Sequence, residues 1–451
     1  MNTTSKAIQN GQALPLGLVL LVAVAATVFF MFNSGQLVQE KIRLTNTADA
    51  VAYSAGVYEA RVLNYDAYTN RAMIANEIAI GQAVGLASWA KYAAVSADNI
   101  APWAYLIPYV GSLIADALEE FSDLVDGEGS YYPGLTFFLA AAVTLHDGVV
   151  QALALSQYAV HGPGNAIALV NRKLVMDEVA KKNDPDVKVD PLPLADNFMG
   201  FTQRYESKEE RKRMGQLVSD DRDAFLQSRN WNAGLVLLCT GAQLRKRGST
   251  ELIDLTEGWK SMDTLSIHIY RISRFRCRRS ETPIGYGTAF SDDGLDDSDY
   301  SYAGSRSTNP KASDKAEDKV AKWFEPATLG GGAIPAFHDL SESTLKNMPK
   351  DPRATLTIRV TKDAAKQRYS GGASIVKPAG RLDLYAGNHA KGQSAAISSV
   401  EVYFERPDGN NPLAGKEEYG NLFNPYWQVR LAPVSAATRA LAQGLQGRFT
   451  P

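Results

Sequence analysis

The densest run of ionisable side chains is the acidic stretch from Asp292 to Asp299. Asp292, Asp293, Asp296, Asp297 and Asp299 offer the hard oxygen ligands that a calcium ion takes. EF-hand spacing with a closing glutamate is missing, so a solvated acidic loop accounts for the same residues. The basic counterpart is Arg271, Arg274, Arg276, Arg278 and Arg279. On an extended strand Arg274, Arg276 and Arg278 share one face, and Phe275 and Cys277 the other. Such a face can track a phosphate backbone. A wet strand face neutralised by Glu281 and the acidic loop explains it without nucleic acid as a partner.

Other chemistry is sparse. His146, His161, His268, His338 and His389 are scattered without HExxH or CxxH spacing, which leaves no zinc motif. Walker A, GxGxxG and GxSxG elements are absent, as is the Asp-x-Ser-x-Ser of a metal-dependent adhesion site. Ser343 and Lys346 match the SxxK pattern of penicillin-recognising enzymes, but the SDN and KTG companions are missing. The expectation is a protein that is not an enzyme and needs no cofactor. Cys239 and Cys277 are the only cysteines. If exported they can pair across a loop of nearly forty residues, worth about 3–4 kcal/mol in the chain-entropy model; two buried thiols are the other reading.

The elements around these residues begin with an uncharged apolar run, Ala13 to Phe32, as long as a membrane-spanning helix requires. A cleaved signal peptide is the rival reading, but its apolar region is normally shorter, about 7–15 residues, and leaves through an Ala-x-Ala site. Here the run leaves through Asn33-Ser34-Gly35. Past Gly35 apolar residues recur at the helical period from Leu37 to Val62, with Glu40, Lys41, Arg43, Asp49, Glu59 and Arg61 largely between them. No proline occurs from Leu16 to Ala101. Gly35, Gly56, Gly81 and Gly85 weigh against one rod, each costing about 1 kcal/mol relative to Ala. With 451 residues, 45% hydrophobic and 21% charged, the rest can bury a proper core. A formal net charge of -2 gives no overall field favouring nucleic acid or anionic lipid.

The fold class is α+β: a transmembrane helix continuing into a long amphipathic helix, an Ala-rich helical region, then a β-rich C-terminal region. Its segments read as a leader (1–12), the transmembrane helix (13–32), a helical stem and helical domain (33–180), a linker (181–206), an α+β region (207–290), a mobile loop (291–330), and a β-rich region with a C-terminal helix (331–451). Ser207 and Glu210 have capping-box spacing. Leu265 to Cys277, Ala354 to Val360, Arg381 to Tyr385 and Ser398 to Phe404 read as strands.

Gly11-Gln12-Ala13-Leu14, the apolar run, and Leu44-Thr45-Asn46-Thr47-Ala48-Asp49-Ala50-Val51-Ala52 stand in the order and spacing of one family's N-terminal segment. Over about its first sixty residues the chain resembles the TadE/TadG-like proteins of the Tad (Flp) pilus system. The resemblance implies leader cleavage between Gly11 and Gln12 by a prepilin peptidase, and other pilus or pilus-assembly subunits as partners. Two departures stand out. Asn33-Ser34-Gly35 replaces the usual Asp-x-Gly, and larger members carry an adhesion-type von Willebrand domain whose metal motif is absent from this chain. Major pilins also place a glutamate where this chain has Leu16, so a repeating filament subunit is disfavoured.

The function expected is therefore a non-enzymatic, single-span component of a Tad/Flp-type pilus assembly or secretion apparatus, an accessory or minor pilin-like subunit. It would sit in the inner (cytoplasmic) membrane, N-terminus inside and body periplasmic or extracellular, with possible incorporation into a pilus. The alternative is a pilus-tip or cell-surface adhesin binding a surface ligand.

Overall fold

The computed structural model describes residues 13–126, 134–273, 276–292, 298–318, 321–322, 332–363, 366–367, 393–407 and 418–445. Its organising element is one helix, α1 (Ala13–Ala104), of 92 residues, hence about 138 Å long at 1.5 Å per residue. Two of the glycines that argued against a continuous rod are points of close approach. A Cβ at Gly56 would lie 2.5 Å from Val429 Cγ2, and one at Gly81 would lie 3.0 Å from the Trp259 ring. Their helix penalty is offset by packing that no larger residue permits.

Three helices fold back on α1: α2 (Gly111–Asp126), α3 (Leu135–His161) and α4 (Ala166–Asn183). Gly162 and Gly164, with φ of 66° and 56°, take the left-handed backbone that turns α3 into α4. There follow β1 (Val187–Val189), β2 (Ala195–Asp196), β3 (Thr202–Tyr205), α5 (Lys208–Asp220), α6 (Ala224–Gln227), β4 (Trp231–Leu237), β5 (Thr240–Ile253), β6 (Gly258–Ser273) and β7 (Arg276–Phe290). The chain continues through α7 (Ser305–Thr308), α8 (Pro310–Asp318), β8 (Ala321–Lys322), β9 (Phe337–Leu340), α9 (Glu342–Asn347), β10 (Arg353–Asp363), β11 (Gln393–Phe404), β12 (Trp427–Ala432) and α10 (Ala436–Gly444).

Among the described residues the strands make two five-stranded sheets and one pair. The lower sheet, nearer Ala13 along α1, has the order β1-β10-β11-β12 with β2 also on β10; the upper has the order β4-β5-β6-β7-β8; β3 pairs with β9. Leu44, Val51 and Ala55 pack on Ile358 and Val400 of the lower sheet. Higher up, Ile80 and Val84 share a core with Trp259, Met214 and Phe337. The architecture is thus mixed helix and sheet, with the long N-terminal helix expected and a β-rich C-terminal region.

Three local readings change. The linker 181–206 contains β1 and β2, which pair with β10, and β3, which pairs with β9; strands of two to four residues are too short to leave a periodic signal. The stretch 291–330, read as a mobile loop, contains α7 and α8, whose Ala312 and Ala316 pack with Tyr286 and Tyr302. Leu265 to Cys277 is two antiparallel strands, with Arg271 opposite Arg278, because the alternating pattern runs through the reversal unbroken. The capping box is present: Glu210 N donates to Ser207 Oγ and Ser207 N to Glu210 Oε2. Arg381 to Tyr385 lies outside the described residues.

Candidate functional site

The feature that distinguishes α1 is its division into two environments. From Ala13 to Phe32 no side chain is buried, and the stretch is long and apolar enough to cross a membrane. Its one hydroxyl, Thr27 Oγ1, donates to Ala23 O at 2.8 Å, so no polar group faces outward unpaired. The helix carrying α3 passes the same length and composition test. One face of α3 lies on α1 and buries Asp147, Gln157 and His161, while Phe137, Phe138, Leu145 and Leu155 stay exposed on its other side.

From Glu40 upward, α1 is bound to the body by polar groups set among its apolar contacts. Lys362 Nζ bridges Glu40 Oε2 and Asp184 Oδ2, each at 2.9 Å, and Ser398 Oγ donates to Asp49 Oδ1 at 2.6 Å. Glu59 is fully buried and meets Arg172 Nη1 at 2.5 Å, while Arg172 Nη2 meets Asp196 at 2.5 Å. Burial pushes the Glu59 carboxyl up to about 7 even with the guanidinium beside it.

Two turns further along α1, His161 Nε2 faces Asp66 Oδ2 at 2.7 Å and its Nδ1 faces Asn165 Oδ1 at 2.8 Å. The Asn165 amide nitrogen is committed to Met199 O, so both ring nitrogens face acceptors and the imidazolium satisfies them. Burial alone would lower the His161 pKa, but the Asp66 hydrogen bond and charge outweigh it and raise it. His338 stacks on this ring at 4.2 Å; burial and the neighbouring charge push it down to about 3, so it stays neutral. Asn70 Nδ2 donates to His338 O and Leu422 O, at 2.9 and 2.8 Å.

The upper end repeats the arrangement. Trp259 Nε1 donates to Glu77 Oε2 at 3.3 Å, and burial raises Glu77 to about 8. Ser88 Oγ donates to Asp263 Oδ2 at 2.8 Å, and Asp263 also holds Arg229 and Lys246. Burial opposes ionisation of Asp263, but Lys246 and Arg229 win and lower its pKa. Gly287 admits α1 closely: a Cβ there would lie 2.5 Å from both Ser88 O and Tyr92 N.

These groups are cross-braces set in the interior, each tied through at least one polar atom, while Glu59 Oε2, Asp66 Oδ1, Glu77 Oε1 and Arg172 Nε have no hydrogen-bond partner among the described residues. The sequence pattern places Glu59 with the charged residues between the apolar positions; the structure buries it. The available signal was spacing, since Glu59, Asp66, Asn70 and Glu77 follow at intervals of seven, four and seven, on one helical face.

The residues singled out for chemistry are dispersed. Ser343 and Lys346 are exposed on α9, and Ser343 Oγ is bonded to the cap residue Ser341. His146 pairs with Asn76 and His268 with Asn309; His389 lies outside the described residues. So do Arg274, Asp293, Asp296, Asp297, Gly11 and Gln12. No group of three or more His, Cys, Asp or Glu able to hold a metal occurs among the described residues. Cys239 and Cys277 are joined in a disulfide with Cα atoms 5.7 Å apart, clipping the β4–β5 turn to the start of β7.

An exposed apolar helix continuous with a buried, cross-braced stem defines a candidate membrane-anchored protein. Residues 11–61 match the Tad family model, described as Flp pilus-assembly TadE/G-like. That likeness covers the candidate span and the stem as far as the Glu59 brace, and it bears on no other part of the fold. No curated protein and no solved structure matches the chain.

Proposed function

We propose that the protein is a non-enzymatic, single-span component of a Tad/Flp-type pilus assembly or secretion apparatus, acting as an accessory or minor pilin-like subunit through protein–protein contacts. The observation that carries this reading is the unbroken α1, whose lower part is both the exposed apolar run and the segment similar to the pilus-assembly family. A subunit stored in a membrane and later packed in a helical bundle needs one sequence compatible with lipid and with close helix approach. Gly17, Ala23, Ala25 and Ala26 supply small side chains for the second role. Leu16 in place of an acid removes the carboxylate that would pair with a neighbouring subunit's amino terminus, which favours an accessory role over a repeating one. The Cys239–Cys277 pair supports an oxidising compartment for the body, hence an inner-membrane anchor with the N-terminus inside.

The test is the intact mass of the protein recovered from its native membrane, together with fractionation. A chain beginning at Gln12 indicates pilin-like processing, and a retained leader indicates a fixed anchor; both fit the proposal. Recovery of the body from the cytoplasm would overturn it.

A further inference from the structure

The far end of α1 carries two exposed apolar surfaces on opposite flanks of the helix. The first is the corner between α1 and α2. Residues 99–115 include no charged side chain, and Trp103, Leu106 and Leu113 are 72%, 72% and 73% exposed. Acids surround this corner: Asp98, Asp116, Glu119, Glu120 and Asp123 are all exposed, and none has a cationic partner among the described residues. The second surface is the tip of the upper sheet. Asn99 Nδ2 donates to Ile284 O at 2.8 Å, and from there β7 runs back to Arg276, a further reach of about 26 Å at strand spacing. Only about 8 Å of α1 remains beyond Asn99. The sheet therefore projects past the helix as an arm, clipped by the disulfide.

The pairing register places Leu235 and Leu237 of β4 on the same arm face as Arg271, Arg276 and Arg278. All five are exposed, and the three arginines have no acidic partner among the described residues. Arg271 directly opposite Arg278 is a repulsive cross-strand pair, an arrangement relieved when an acid from elsewhere covers it.

The two surfaces cannot meet within one molecule. Ser88, Ser96 and Asn99 of α1 face β7, whereas Ala90, Ala94, Ala101 and Ala104 face α2. At 100° per residue these sets lie on opposite sides of the helix. Each surface is an apolar patch ringed by one sign of charge, and the signs are opposite. Exposed apolar patches of this kind mark interaction sites, and complementary charge selects the partner.

We infer that the partner is a second copy of this chain: the Leu235–Arg276 face of one arm docks on the acid-rimmed Trp103–Leu113 corner of a neighbour. Such a contact is heterologous, so copies add into a closed ring or an open row. The inference is independent of the pilus reading, since it uses only residues above the segment similar to that family.

The experiment uses the full chain in detergent micelles, followed by sedimentation velocity. Wild type is expected to self-associate. R271E/R276E/R278E and E119R/E120R are each expected to lose that association, with affinity down about tenfold or more for several charge pairs reversed together. Mixing the two variants restores complementary charge and is expected to recover a mixed assembly. A monomeric wild type, association indifferent to either reversal, or failure of the mixture to assemble would overturn the inference. Binding of the arm to anionic phospholipid vesicles, lost in the arginine variant while self-association persists, would assign the surface to lipid and overturn it as well. Unchanged circular dichroism and thermal midpoints in both variants exclude misfolding as the cause.

Discussion

Two regions of α1 use the same side chains for opposite purposes. Between Ala13 and Phe32, leucine, valine, alanine and phenylalanine point outward on every side. Between Leu44 and Ala104 the same residue types are covered, on more than one side of the helix, by two sheets and three helices. The lower region needs no partner side chains, since its backbone is internally bonded and its surroundings are to be apolar. The upper region must fix its register against a body, and apolar stripes alone do not fix register well. Buried polar pairs do so, because each leaves a costly unpaired group if the helix slides or rotates. Glu59, Asp66, Glu77 and Ser88 serve this purpose at successive heights.

The contrast can be broken most strongly at Arg172. Arg172→Ala leaves Glu59 and Asp196 facing each other without a cation, and folding stability in urea should fall by about 3–5 kcal/mol. An unchanged unfolding midpoint would mean that the brace contributes nothing to register.

The next effect is a pH dependence. Folded Glu77 keeps its proton up to about pH 8, whereas its ordinary value is 4.5. Between those values the folded state binds more protons than the unfolded one, so its stability falls as pH rises. Glu59 acts in the same direction up to about 7. Glu77→Gln removes the largest of these contributions, and the decline in stability from pH 5 to pH 8 should shrink by on the order of a few kcal/mol. Identical slopes for the variant and the parent would contradict the assignment of Glu77 as a buried neutral acid.

The smallest effect on the body should come from the region with no docking role. Val24→Arg makes insertion less favourable by about 3 kcal/mol at a helix centre and should shift protein from the membrane fraction to the soluble one. The thermal unfolding of the body should stay within about 0.5 kcal/mol of the parent. A large loss of body stability would show that the two regions of α1 are energetically one.

Much of this was legible before any coordinates. The apolar run, the helical period to Val62 and the Ser207 cap each depend on neighbours in sequence, and each is where the residues put it. The pairing of β1 and β2 with β10, and the reversal that splits Leu265 to Cys277, depend on partners far along the chain. The buried polar braces were hidden for the same reason. Glu59 looks like any charged residue of an amphipathic helix until Arg172, 113 positions later, arrives beside it.

The sequence by itself determined that one end of the molecule is a bare apolar helix and that its first residues resemble a pilus-assembly segment, because hydrophobicity and spacing are local properties. Only the tertiary structure decided that the same helix runs on for 92 residues as the spine of the body. Gly56 and Gly81 are contact points rather than breaks, and the buried acids Glu59, Asp66 and Glu77 are internal braces. It likewise decided that an acid-rimmed corner and an arginine-bearing arm stand on opposite flanks of its far end. Those outcomes depend on which distant side chains cover each face, and burial of that kind is a property of the assembled fold.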